Sequence, residues 1–250
     1  VVDEIQTVGN DESLEMARVA YEDGTRTLVA TPHNHDVAER SSLAAVKALV
    51  ERVRQELHAR SIPLKLLLGM ENHLDPDMPE KVDRGLAIPI EGTRYILVEL
   101  PFQAYPLYTE DVLFKLRLKG LRPIIVHPER NDPIKDNPQV LANLVQKGAL
   151  SQLTAASIAG GLGEDVRKLS RELLRRGLVH IIASDGHTSR GSRVPVLSPG
   201  VAAAARVVGR QAALRMVEDI PQAIIRDEQV DPEGLFVTPA RKRGWWPLRR

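Results

Sequence analysis

The chain has 250 residues, 43% apolar and 27% charged, which fits one large α/β domain or two small ones. With 34 basic against 33 acidic residues and 4% aromatics, nothing global points to nucleic acid, an anionic membrane or base stacking. Cysteine is absent, which removes disulfides, thiolate metal sites and a cysteine nucleophile, and suits a reducing, cytoplasmic compartment.

In chain order, the expected elements repeat one rhythm: amphipathic helix, glycine, short apolar strand. Residues 11–23 (DESLEMARVAYED) predict a helix with acidic residues at its start, stopped by Gly24 before TLVATPH. Residues 41–60 predict a second helix, with Ser41 as N-cap and Leu43, Val46, Leu49, Val50, Val53 and Leu57 on one face. The strands LKLLLGME and YILVELPF follow. A helix over 109–119 stops at Gly120 before LRPIIVHP, and one over 138–147 opens on Pro138 and stops at Gly148 before ALSQLTA. A last helix, 164–176, stops at Gly177 before LVHIIASDGH.

The alternation predicts an α/β fold with a largely parallel sheet. No apolar run approaches the ~18 residues of a membrane span. Proline and glycine are spread evenly, so a single domain over 1–237 is expected, followed by a basic tail, 238–250 (TPARKRGWWPLRR). That tail reads as a loosely docked terminus, or more sharply as a membrane-surface contact.

The strand ends carry the chemistry. TLVATPH ends at His33, LKLLLGMENH at Glu71 and His73, YILVELPF at Glu99, RPIIVHPER at His127 and Arg130, and LVHIIASDGH at Asp185 and His187. One histidine after a strand is usually structural. Five strands that each deliver a carboxylate or imidazole are different, because charges converging on one rim are costly unless something neutralises them. In barrels of parallel strands that rim holds the active site. His, Asp and Glu without Cys form the ligand set for manganese, iron or zinc in hydrolytic centres.

The motifs VATPH, GME, VELPF, HPERN and ASDGH occur in the order of the PHP (polymerase and histidinol phosphatase) superfamily. More narrowly, SLEMARVAYEDGTRTLVATPH and PIIVHPERN resemble the CpsB/YwqE-type manganese-dependent protein-tyrosine phosphatases of bacterial capsule and exopolysaccharide systems. The resemblance covers roughly residues 1 to 230. It implies a distorted (βα)7 TIM-like barrel with up to three Mn2+ ions at the C-terminal rim, the ligand set also tolerating Fe, Co or Zn. His33, Glu71, Glu99, His127, Asp185 and His187 would be ligands, with Glu99 bridging two ions. Arg130 would bind the substrate phosphate, and Arg193, or Arg190, would supply a second guanidinium. His35 and His73 take no role.

One departure stands out. The family begins with a strand ending in Asp-x-His-x-His and an acidic loop, and this chain has no histidine before His33. Either VVDEIQT is that first strand with its histidines replaced, or Asp3 and Glu4 match the acidic loop and the strand lies upstream of Val1. The second alignment is preferred, with Glu4 as a metal-binding acid. The implied activity is direct hydrolysis of phosphotyrosine by a metal-activated hydroxide, on a bacterial tyrosine kinase that controls polysaccharide synthesis. The alternatives are a histidinol-phosphatase-like phosphoesterase and a metal-poor module that binds phosphoproteins without turnover. The sequence does not fix the oligomeric state.

Overall fold

The structure is a computed structural model that describes residues 2–5 and 10–232. Strand β1 (Val2–Ile5) is followed by helix α1 (Asn10–Glu22), strand β2 (Thr27–Ala30) and helices α2 (Asn34–Arg40) and α3 (Leu43–Ala59). Next come β3 (Lys65–Leu68), β4 (Glu71–His73), α4 (Met78–Asp83), β5 (Tyr95–Glu99) and α5 (Thr109–Leu118). Strand β6 (Arg122–Val126) leads through a single 3-10 turn (Pro128–Arg130) into α6 (Asp132–Asp136) and α7 (Gln139–Gln146). Then follow β7 (Leu150–Thr154), α8 (Ala155–Ala159), α9 (Glu164–Arg175) and β8 (Ile181–Ala183). Helices α10 (Ser198–Val208), α11 (Arg210–Arg215) and α12 (Asp219–Ile225) end the series.

The fold is α/β with parallel sheets. Among the described residues the strands form two sheets, β1-β2-β3 and β4-β5-β6-β7-β8, with every pairing parallel. The sheets meet at Gly69, where the chain passes from β3 to β4. There Gly69 N–H donates to Ala30 O at 2.8 Å, and a Cβ would come within 3.1 Å of Val29 and 3.2 Å of Thr31. A glycine lets the backbone lie that close to β2. Beyond it, Glu71 bridges to His33 and β4 turns to pair with β5. At the other end of the order, β1 lies beside β8.

Alternation along the strands explains why they read as continuous apolar runs. Ile96, Val98 and Ile125 face the helices in one large cluster, while Tyr95, Leu97, Ile124 and Val126 face the opposite way. That opposite face gathers Val29, Leu67, Leu150 and Ile181 from both sheets, and Ile220 and Ile224 of α12 cover it. The outer face of β2 and β3 packs on α1 and α3 through Leu28, Leu66, Met16 and Val50.

The four glycines expected to stop helices, Gly24, Gly120, Gly148 and Gly177, all have positive φ. The N-cap of α3 is Ser42 rather than Ser41, its side chain accepting from Ala45 N–H at 3.2 Å. Val2–Ile5 pairs with β2 from Val2↔Thr27 to Ile5↔Ala30, so Asp3 and Glu4 lie in a strand rather than an acidic loop. The side chain of Glu4 and the basic tail at 238–250 lie outside the described residues. Among the described residues no helix is long and apolar enough to cross a membrane.

Just before β8, His180 is fully buried and uses both ring nitrogens. Nδ1 accepts from Ser151 N–H at 3.0 Å, and Nε2–H donates to Pro232 O at 3.1 Å. A second proton on Nδ1 would point at an N–H. Burial holds this imidazole down at about 4. The unfolded chain takes that proton near pH 6.5, so between pH 6.5 and 4 it binds more protons and stability falls as pH falls. We expect His180 to account for about 3 kcal/mol of that loss, and His180→Gln to flatten the slope in urea-unfolding curves taken across this range.

Candidate metal centre

Strand register carries the polar residues to one rim. His33, three residues beyond β2, bridges Glu71, and His73 sits opposite Glu99 on β5. Glu99 in turn sits opposite Val126, the last residue of β6, so His127 follows one residue further on. Asp185 lies two residues past the end of β8. All these positions are at the C-terminal ends of parallel strands, and they line one cavity of about 340 Å³.

At its floor, ligand atoms of His33, Glu71 and Glu99 all lie within 4.8 Å of one another. His127 Nε2 is 2.9 Å from Glu71 Oε1 and 3.7 Å from Glu99 Oε1. His33 Nδ1 is buried, makes no hydrogen bond, and stands 3.5 Å from Glu71 Oε1. Glu71 and Glu99 are 1% and 8% exposed. Two buried carboxylates so close repel unless positive charge lies between them. An imidazole nitrogen without a hydrogen bond, aimed at that gap, completes a donor set suited to a divalent cation.

The surrounding groups already respond to this charge. Burial opposes a charged His127, but Glu71 outweighs it and pushes the imidazole up to about 9. Burial also works against the Glu99 charge, yet the histidines 73, 127 and 33 outweigh it and hold the carboxyl below its usual range. Glu99 keeps His73 above the ordinary imidazole range, at 3.5 Å. Burial holds His187 below that range. Its Nδ1–H donates to Asp185 O at 2.9 Å, which puts the lone pair on Nε2.

Beside the carboxylates is an arginine pair. Arg130 Nη1 donates to Asp185 Oδ2 at 3.0 Å, and Arg193 Nη2 donates to the same oxygen at 2.5 Å. Two planar donors converging on one point are suited to a tetrahedral oxyanion such as phosphate. Arg193 reaches this place because its loop folds back. Its carbonyl accepts from His187 N–H at 2.8 Å and Thr188 N–H at 3.2 Å, while Pro195 packs where a Gly186 Cβ would be, at 3.1 Å. The loop is tied to α1, where Glu12 accepts from Ser189 N–H at 2.6 Å.

Two residues at the rim have left-handed backbones although they carry side chains: His127 at φ 33° and Asp185 at φ 51°. Such conformations persist where neighbouring bonds fix them. At His127 these bonds come from residues that had no expected role. Glu129 does not pair with Arg130. It is buried inward, and its Oε1 accepts from Thr154 N–H at 2.9 Å. Asn131 accepts from Ile134 N–H at 3.0 Å and donates to Pro101 O at 2.6 Å. Phe102 stacks under Arg130, 4.7 Å from guanidinium carbon to ring centroid.

His33, Glu71, Glu99, His127, Arg130, Asp185, His187 and Arg193 thus share one cavity. Histidines 35 and 73, given no role from sequence, line it as well. Arg190 is not among the lining residues: its carbonyl accepts from Thr188 Oγ at 2.7 Å, and its charge acts on Glu15 of α1. The spacing after ASDGH allowed either arginine, and the fold-back of the loop brings Arg193 to the cavity.

Parallel strands with an acidic, imidazole-rich rim and an arginine pair define the class: an α/β protein with a candidate metal centre built to meet an anion. The chain belongs to the family of capsular polysaccharide synthesis proteins CpsB/CapC, whose model matches residues 6–226. It is 39% identical over 176 residues to the tyrosine-protein phosphatase YwqE of Bacillus subtilis, covering 70% of this chain and 69% of that protein. It is 33% identical to the putative tyrosine-protein phosphatase CapC of Staphylococcus aureus, covering 71% of this chain and 70% of the other. Among solved structures, one described as YwqE from Bacillus subtilis and CpsB from Streptococcus pneumoniae, unique metal-dependent tyrosine phosphatases, superposes with a TM-score of 0.86. The match has 30% identity and covers 92% of this chain and 96% of the other.

The role of Glu129 is testable without any ligand. Glu129→Gln keeps an acceptor for Thr154 N–H, whereas Glu129→Leu leaves that buried donor unpaired. The leucine variant should lose about 1–3 kcal/mol in urea unfolding and the glutamine variant less than about 1 kcal/mol.

Proposed function

We propose that this chain is a metal-dependent protein-tyrosine phosphatase. The observation that carries the reading is one cavity holding both a His33–Glu71–Glu99–His127 donor cluster and two guanidiniums on one carboxylate oxygen. In this reading His33, Glu71, Glu99, His127, Asp185 and His187 would hold the metal ions, manganese before iron, cobalt or zinc. When bound, the metal supplies a hydrolytic water at neutral pH and positive charge next to the phosphoryl group.

The chain's own residues do the rest. Arg130 and Arg193 bind the phosphoryl oxygens and stabilise the charge that grows on them. Asp185 holds both arginines ready before substrate arrives. The surrounding histidines hold the Glu99 carboxyl below its usual range, and His187, its Nδ1–H engaged by the Asp185 carbonyl, would present Nε2 as a donor. Phenolate, with a pKa of about 10, leaves without a dedicated general acid.

The two sheets are read as one distorted seven-stranded barrel, in which Lys65–His73 is a single bent strand. The position of β1 beside β8, and the apolar cluster shared by both sheets, support this. One phosphatase domain over 1–237 and a cytoplasmic site of action belong to the same reading. The family's link to capsular polysaccharide synthesis supports a phosphotyrosine segment of a bacterial tyrosine kinase as substrate.

With manganese present, a phosphotyrosine peptide should release phosphate, and a chelator should stop it. His127→Ala should abolish turnover, and Arg130→Ala should lower kcat/KM by about a hundredfold. Phosphopeptide binding without phosphate release under any divalent cation would overturn the reading. A separate check is thermodynamic. Manganese at about a hundred times its dissociation constant should raise unfolding free energy by about 2.7 kcal/mol, and Glu71→Gln should remove that increment in melts run with and without metal.

A further inference from the structure

We propose that Phe102, with Leu100 and Pro101, forms the specificity-determining wall of the cavity, receiving the aryl ring of the substrate and favouring aryl over alkyl phosphate esters. The inference rests on the phosphatase reading and adds the residues that would select its substrate.

The cavity is chemically one-sided. Apart from Leu100, Pro101 and Phe102, every lining residue is a histidine, acid or arginine. These three are consecutive and follow Glu99 directly, so one strip of chain supplies all the apolar surface. Leu100 is buried, whereas Phe102 is 39% exposed. Of the chain's other two phenylalanines, Phe114 is on α5 and Phe236 lies outside the described residues. An aromatic left partly in water beside a charged floor has a face to offer.

Its position relative to the anion site is fixed. Arg130 lies over the ring at 4.7 Å, and the ring centroid is 5.4 Å from that of His127, at 37°. Phe102 O accepts from Asp132 N–H at 2.7 Å, and Pro101 O accepts from Asn131 Nδ2 at 2.6 Å. The same turn therefore carries His127 and Arg130 and grips the aromatic strip. In an aryl phosphate the ring begins one oxygen from phosphorus, so a phosphoryl group on Arg130 puts that ring beside Phe102. A serine or threonine ester puts a saturated carbon there, with no face to stack.

The test uses the manganese-loaded protein and two non-hydrolysable probes, phenylphosphonate and methylphosphonate. Phe102→Ala should raise the Ki of phenylphosphonate by about tenfold and that of methylphosphonate by less than about threefold. Phe102→Leu, which keeps bulk without an aromatic face, should fall between. The kcat/KM ratio of a phosphotyrosine peptide to its phosphoserine counterpart should drop by about tenfold in Phe102→Ala, cancelling the leaving groups' intrinsic reactivities. Equal weakening of both phosphonates would overturn the proposal, because Phe102 would then only support Arg130. So would no change in either. A wild-type protein that binds phosphonates but turns over no ester would sink the phosphatase reading alone, since the two Ki values still report on the wall.

Discussion

Two glutamates that should not be neighbours organise this protein. Glu71 and Glu99 come from different strands, are nearly or wholly shielded from water, and present their oxygens to the same small volume. Nothing in backbone pairing requires this, since valine or isoleucine would serve the sheet better. Repulsion between the two is offset by the imidazoles around them, His127 most directly. The turns and pairings of the rim hold these two carboxylates close together and out of water. The bend at Gly69 aims Glu71 at the gap, and the parallel register with β5 sets Glu99 two residue pairs along.

Such a rim needs rigid turns, and the two strands that contribute most have unusual ones. His127 and Asp185 each leave their strand in a left-handed conformation, which turns the side chain across the rim instead of out to solvent. The supports differ. At His127 the turn is fastened from below by Glu129 on Thr154 and from the side by Asn131 on the Leu100–Phe102 strip. At Asp185 the loop closes on itself through the Arg193 carbonyl and is tied at its outer edge to α1 through Glu12. Asp23 of the α1 end also accepts from Leu197 N–H at 2.6 Å and Ser198 N–H at 3.0 Å, fixing the start of α10.

Much of this was legible in the amino-acid order. Amphipathic faces such as that of α3 and the glycines after the helices expose the helix–strand rhythm because burial and positive φ each demand particular residues. The strand-end ligands stand out because a charged residue interrupts an apolar run. Helices α2, α4, α6 and α8 stayed hidden, being five to seven residues long, too short for a periodic face. Helix α10 (SPGVAAAARVV) stayed hidden for the opposite reason: it is apolar nearly all round. Glu129 could not be read either. Next to an arginine on a turn it looks like half of a surface pair, and only the proximity of β7 turns it inward.

The arginine pair joins the proposed metal centre and the proposed anion site into one unit. Arg130 and Arg193 are 63 positions apart in sequence, yet both donate to a single oxygen of Asp185, which is also one of the rim's carboxylates. A charge arriving near Asp185 from the floor of the cavity changes how strongly that carboxylate holds the guanidiniums. An anion arriving from above changes how much of Asp185 is left for the floor. Linkage makes the two effects reciprocal, each changing the other by the same factor. Because the carboxylate is buried, little solvent is available to screen the exchange. On the proposed reading, the anion site depends on the floor not through a distant relay but through one shared oxygen atom.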